Sequence, residues 1–168
     1  MKKFQYLILL SSMSIALSAC IKTHVEPNLP AATQTGAKTF GCRVNGKVWV
    51  AEAPFPLHRL TSYYYNGAIC VRATLLKGNI NQTIFIYRDS VFKPGTYILN
   101  NSAGDRHGDL HDLNSFCNYN TDSLNTGILE MTRVDSINGI FSGRFRFRIT
   151  VPGCGTVDVT EGRFDVRR

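Results

Sequence analysis

Residues 144–151 read Arg-Phe-Arg-Phe-Arg-Ile-Thr-Val. Strict alternation of polar and apolar side chains is the period of an extended strand, whose neighbours point to opposite faces. Phe145, Phe147, Ile149 and Val151 therefore share one face, and Arg144, Arg146, Arg148 and Thr150 share the other. A sheet with one apolar and one charged face must close its apolar side against a second sheet or against itself. The chain is expected to be all-β, either an antiparallel β-sandwich or a closed β-barrel.

Turn signals divide the rest of the chain in the same spirit. Asn45-Gly46 separates Phe40–Val44 from Lys47–Val50, and Asn66-Gly67 separates Leu60–Tyr65 from Ala68–Leu76. Asn-Gly between apolar runs marks a tight hairpin, because a type I′ turn needs two residues at positive φ. Further turns at Lys77–Asn79, Pro94-Gly95, Asp135–Gly139, Pro152-Gly153 and Gly162 bring the expected total to about ten strands over residues 39–168. Short turns make antiparallel pairing the default. By parity, Trp49, Phe85, Tyr97, Leu129 and Phe164 are further core candidates. No segment carries a sustained helical stripe, and Asp109–Phe116 has room for one turn at most.

The N-terminal segment has a different character. Lys2 and Lys3 precede a short apolar stretch, Phe4–Ala16, and then Leu17-Ser18-Ala19-Cys20. A basic start, a short apolar core and small residues before a cut site describe a secretory signal. The Cys after Leu-Ser-Ala resembles the bacterial lipobox, which implies cleavage after Ala19 and a lipid on Cys20. Several acyl chains on one Cys give stable anchoring where a single chain would not. Ile21, rather than Asp, follows the Cys and favours the outer membrane. The absence of an acidic run in Ile21–Glu26 favours its periplasmic face over the cell surface. Residues 20–38, with Pro27, Pro30 and Gly36 and no apolar period, read as a flexible tether spanning ~25 Å r.m.s..

Setting Cys20 aside, Cys42, Cys70, Cys117 and Cys154 remain, an even number in an exported chain. Two disulfides are expected, and three connectivities are open. Cys42–Cys154 and Cys70–Cys117 are favoured, because the first would close the sheet at the chain ends. No C-x-x-C spacing occurs, so zinc-ribbon and thioredoxin readings fail.

Function is less legible. The net charge of +7 loses only Lys2 and Lys3 with the leader, and no basic cluster exceeds the arginine ladder, so nucleic acid is not an expected partner. Nothing calls for a cofactor. His107, Asp109 and His111 fall at alternate positions, on one side of an extended chain, and are candidate metal ligands. The bland account is a solvated loop rich in Gly, Asp and Asn. Arg144, Arg146 and Arg148, with Arg133 and Arg163 nearby, could take sulfate, phosphate or acidic sugars. Cross-strand pairing with Glu130 and Asp165 accounts for them equally well. Tyr63-Tyr64-Tyr65 could present a sugar platform, or divide between core and surface. His24 lies in the tether and His58 stands alone; no Gly-x-Ser-x-Gly or phosphate loop is present, so an enzyme is not expected.

Four short blocks resemble a group of uncharacterised lipoproteins from Bacteroidota. They are Thr35–Trp49 (a TFGCxVNGxxW start), Thr126–Glu130, Ser142–Phe147 (SGxFxF) and Val159–Val166 (a TxGRFD ending). The second block follows a TGxLxI strand, from whose last position Met131 departs, and residues 52–115 match poorly. The resemblance implies a lipoprotein of β-rich fold, without an activity or catalytic residues to carry over.

The reading is an exported, monomeric binding or structural module, held at the outer membrane by its lipid and facing a protein or glycan partner. The alternatives are a barrel taking a small apolar or glycan ligand, and a hydrolase of envelope sugars. A pocket with two carboxylates or a metal would favour the enzyme, and a filled core with flat surfaces the interaction module.

Overall fold

The two Asn-Gly pairs make the first two hairpins. Asn45 and Gly46 sit at φ 50° and 79°, Asn66 and Gly67 at 46° and 80°, the positive pairs of a type I′ turn. The first pair joins β1 (Thr39–Val44) to β2 (Lys47–Val50), the second β3 (Leu60–Tyr65) to β4 (Ala68–Lys77). The computed structural model describes residues 28–101 and 106–168. Its remaining strands are β5 (Ile80–Arg88), β6 (Gly95–Leu99), β7 (Arg106–Asp112), β8 (Cys117–Asn120), β9 (Gly127–Asp135), β10 (Ile140–Val151) and β11 (Gly155–Arg167). No helix occurs among the described residues.

The eleven strands form two antiparallel sheets, ordered β2-β1-β11-β10-β9-β6 and β3-β4-β5-β7-β8. This is a sandwich rather than a closed barrel. Phe145, Phe147 and Ile149 face its core as the alternation requires, with Phe40, Trp49, Leu129 and Phe164 around them. Phe40 lies 5.0 Å from the Phe145 ring and meets Trp49 edge-on at 5.8 Å. Tyr64 of β3 stacks on Phe141 of β10 at 4.3 Å, joining the two sheets, and donates its hydroxyl to the Val91 carbonyl. Trp49 Nε1 finds Gln82 Oε1 at 3.1 Å, and Gln82 Nε2 donates onward to Asp112, so the one indole is satisfied. Phe85 departs from the expected core. Ile84 and Ile86 take the inward positions of β5, and Phe85 lies on the outer face.

Three other expectations are corrected. First, the disulfide is Cys117–Cys154, and Cys42 and Cys70 are free thiols. Val44 pairs with Val159, so Cys154 lies about 16 Å of extended strand beyond the β1 ladder and out of reach of Cys42. Cys70 and Cys117 are three strands apart, roughly 14 Å, with Cys117 turned towards the core and Cys70 away from it. The bond that does form joins β8 of one sheet to the β10–β11 turn of the other, where Tyr119 also donates to the Cys154 carbonyl. Second, Asp109–Phe116 contains no helical turn, and most of it belongs to β7 and the turn into β8. Third, residues 30–38 are not a free tether; they form a strap along the outer face of the six-stranded sheet. Cys20 and His24 lie outside the described residues.

Candidate functional site

The six-stranded sheet is bent by one extra residue in β11. Phe145–Phe147 of β10 spans two positions where Gly162–Val159 of β11 spans three, and Gly41–Arg43 of β1 meets the same surplus. Glu161, at φ 51°, is the bulged residue. The bulge exchanges the faces of the strand, so that Val159 before it and Phe164 after it both point inward. At Gly162 the backbones come too close for a side chain, since a Cβ there would lie 2.5 Å from the Phe145 carbonyl oxygen.

The outer surface at this bend is a cavity of about 600 Å³. Arg144 and Arg146 of β10, Arg163 and Glu161 of β11, and Glu130 and Ile128 of β9 line it. Glu161 is engaged by Arg43 Nε at 3.1 Å and Arg163 Nη2 at 3.5 Å. Among the described residues, neither Arg144 nor Arg146 makes a hydrogen bond or ion pair, although Arg144 stands directly opposite Glu130 and Arg163 in the ladder. Arg148 lies outside the cavity, 4.0 Å from Asp158. The ladder is therefore divided into two guanidiniums inside, unpaired among the described residues, and one ion-paired outside. An unpaired guanidinium offers a planar fork of donors that matches carboxylate, phosphate or sulfate.

The strap borders this cavity through Ala32, and the Pro30 ring covers Gly41. One carboxylate holds it. Asp165 accepts from Thr33 Oγ1 at 2.6 Å and from the backbone N–H groups of Thr35, Gly36 and Ala37 at 2.9, 2.8 and 3.1 Å. Ser142 Oγ donates to the same side chain at 2.8 Å. Burial opposes its charge, but the donations from Thr33, Ala37, Ser142 and Thr35 hold the carboxyl well below the usual range. Arg133 donates to the Gln34 carbonyl and Arg167 to that of Thr35. Asp165 thus fastens the strap and is not a partner for the arginine ladder.

On the outer face of the five-stranded sheet, β7 brings His107, Asp109 and His111 to one side. Both imidazoles turn towards the carboxylate between them, His107 Nε2 at 3.5 Å from one oxygen and His111 Nε2 at 3.8 Å from the other. His107 stacks on Tyr87 and His111 leans on Phe85, each at 5.5 Å. Among the described residues, no group of three or more His, Cys, Asp or Glu is arranged to hold a metal ion. Asp109 is buried beneath its neighbours, and that burial pushes its carboxyl up to about 7 against a hydrogen bond from the Phe85 backbone. The tyrosine run divides: Tyr64 enters the core, and Tyr63 sits outside, 6.4 Å from Tyr87. His58 is exposed in the loop before β3.

Glu161 and the carboxylate role of Asp165 were not legible in the sequence. The only trace was Gly162 within a strand pattern, a known mark of a bulge or close backbone approach. All four blocks of resemblance fall on the strap, on the β1–β2 hairpin, or on β9, β10 and β11 and the residue before β9, all within or beside the six-stranded sheet. No family model, no curated protein and no solved structure matches the chain.

Proposed function

We propose that the protein is an envelope lipoprotein of the kind its sequence blocks resemble, anchored at the outer membrane through Cys20, whose β-sandwich binds an anionic group in the bulged cavity. The observation that carries the reading is the pair Arg144 and Arg146, two guanidiniums without partners among the described residues, on one wall of a cavity large enough for a sugar or headgroup. Ile128 supplies an apolar floor beside them. Calorimetric titration with uronic-acid oligosaccharides, inorganic phosphate and sulfate tests it. Binding should be lost in Arg144→Ala/Arg146→Ala and kept in Arg148→Ala; equal affinity in all three proteins removes the cavity as the site. For the anchor, Cys20→Ser should leave the membrane fraction. Retention through a high-salt wash would mean that lipid is not what holds it.

A hydrolase of acidic envelope sugars is the second reading, because Glu130 and Glu161 both line the cavity. Both are exposed and Glu161 is committed to Arg43 and Arg163, whereas a general acid is ordinarily a desolvated carboxyl. Release of reducing ends from uronic-acid oligosaccharides, abolished by Glu130→Gln, would favour this reading over simple binding.

A further inference from the structure

We infer that the outer face of the six-stranded sheet is a membrane-docking surface, and that the anionic group taken by Arg144 and Arg146 is the headgroup of an acidic lipid in the leaflet that holds the anchor. The inference rests on the anchored, anion-binding reading above and names its ligand.

Two independent observations converge on this face. The first is charge. Arg43, Arg133, Arg144, Arg146, Arg163 and Arg167 all project from it. Of the acidic side chains there, Asp165 is buried under the strap, Glu161 is paired with Arg43 and Arg163, Asp135 with Arg133, and Asp158 faces Arg148, while Glu130 stands exposed opposite Arg144; with Arg148 counted, seven arginines outnumber these five carboxylates. The opposite face is built otherwise. There the outward positions of β3, β4, β5 and β7 carry Tyr63, Cys70, Phe85, Tyr87 and His111, and Arg72 lies over the Phe85 ring at 5.6 Å. A basic face is drawn to an anionic leaflet within about a Debye length, and an aromatic, nearly neutral face is not.

The second observation is where the chain arrives. The strap lies on the basic face, with Pro30 over Gly41 and Ala32 at the cavity rim, and it is fastened there by Asp165. From Cys20 to Pro30, where the chain meets this surface, it can span at most about 35 Å. A lipid on Cys20 therefore tethers the domain by its basic face, and the charge of that face turns it to an anionic bilayer. The bulge completes the fit by giving that face a recess rimmed by two unpaired guanidiniums, whose geometry suits a phosphodiester.

The test uses the acylated protein carried by its own anchor on two kinds of vesicle, one of phosphatidylcholine and one with roughly 30 mol% phosphatidylglycerol. Arginine modification by phenylglyoxal is read residue by residue by mass spectrometry. On the anionic vesicles Arg144, Arg146 and Arg163 should react at least about fivefold more slowly than on neutral ones, with Arg72 unchanged, and about 0.5 M NaCl should erase the difference. Equal protection of Arg72 and Arg144, or none of either on protein that floats with both vesicles, overturns the docking face while leaving the anchor intact. Failure to float with neutral vesicles overturns the anchor itself. Protection of Arg144 and Arg146 by a soluble uronic-acid oligosaccharide but not by phosphatidylglycerol keeps the cavity as a binding site and overturns the lipid as its ligand.

Discussion

Thr33 Oγ1 lies 2.6 Å from Asp165 Oδ2, although 132 residues of chain separate them. With the three backbone N–H donors of Thr35, Gly36 and Ala37, this contact turns a Pro- and Thr-rich segment into a fixed part of the sheet surface. Removing the charge leaves those donors with a weaker acceptor. Asp165→Asn should cost about 2–4 kcal/mol of stability at pH 7, by the usual worth of hydrogen bonds to a charged group, and should expose the amides of residues 35–37 to exchange. Because the carboxyl is depressed in the folded protein, its contribution is present above pH ~4 and is lost as the pH falls below that value. Urea titrations at pH 7 and pH 3 should show the gap between wild type and variant narrowing in acid. A constant gap would mean that the charge is not what holds the strap.

Asp109 has the opposite pH dependence. Its carboxyl is raised to about 7 by burial, whereas an unfolded Asp titrates near ~3.9. The unfolded chain therefore releases its proton first, and this residue makes the fold less stable as pH rises from ~4 to ~7. His107 and His111 on its own strand, and Cys70 and Arg72 on β4, are the titratable and charged groups around it. Asp109→Asn should stabilise the protein at pH 7.5 by on the order of 2–4 kcal/mol, with the gain gone near pH 4. A gain that does not vary with pH would point to packing instead.

The thiol state is directly measurable. Mass mapping without reduction should find Cys117 linked to Cys154 and two free thiols. Burial raises the Cys42 thiol far above its ordinary value, so Cys42 should resist alkylation until the protein unfolds. Burial and the Asp109 charge also raise Cys70, which should react slowly. Replacing Cys117 and Cys154 together by Ser should cost about 4 kcal/mol, the chain-entropy value for a loop of this size. Recovery of a Cys42–Cys154 peptide would contradict the strand register.

Gly162→Ala tests the bulge. Its new methyl would press on the Phe145 carbonyl and ring, at 2.5 and 2.6 Å. A loss of at least about 2 kcal/mol is expected, seen as a lower melting temperature, together with weaker anion binding as Arg163 and Glu161 shift. An unchanged melting curve would show that the strands separate there at little cost.

Local rules carried the sequence reading as far as they reach. Asn45-Gly46 and Asn66-Gly67 form the turns they imply, and Arg144–Val151 has the faces its alternation demands, because both signals are complete within a few residues. β7 was hidden for an equally local reason. Its inward positions include Gly108, where the Phe147 and Leu99 side chains fill the space a Cβ would need, at 2.9 and 3.1 Å. A glycine in a core position removes the apolar half of the alternation, so the strand read as a polar loop. The disulfide and the strap depend on register between distant strands. The donors that hold the strap to Asp165 are mostly backbone N–H groups, which leave no residue signature at all. The two parts of the arginine ladder differ because the β11 bulge lies beside Arg144 and Arg146, whereas Asp158 stands opposite Arg148, and both depend on a register that β10 alone does not carry.

The Asp165 contact also sets an order of events. A chain made from its N-terminus presents residues 33–37 long before β11, so the clasp has no acceptor until the last strand of the sandwich has been made. These residues are thus among the first of the described chain to be made and the last to be fixed, and a protected amide at Gly36 reports that the sandwich is complete.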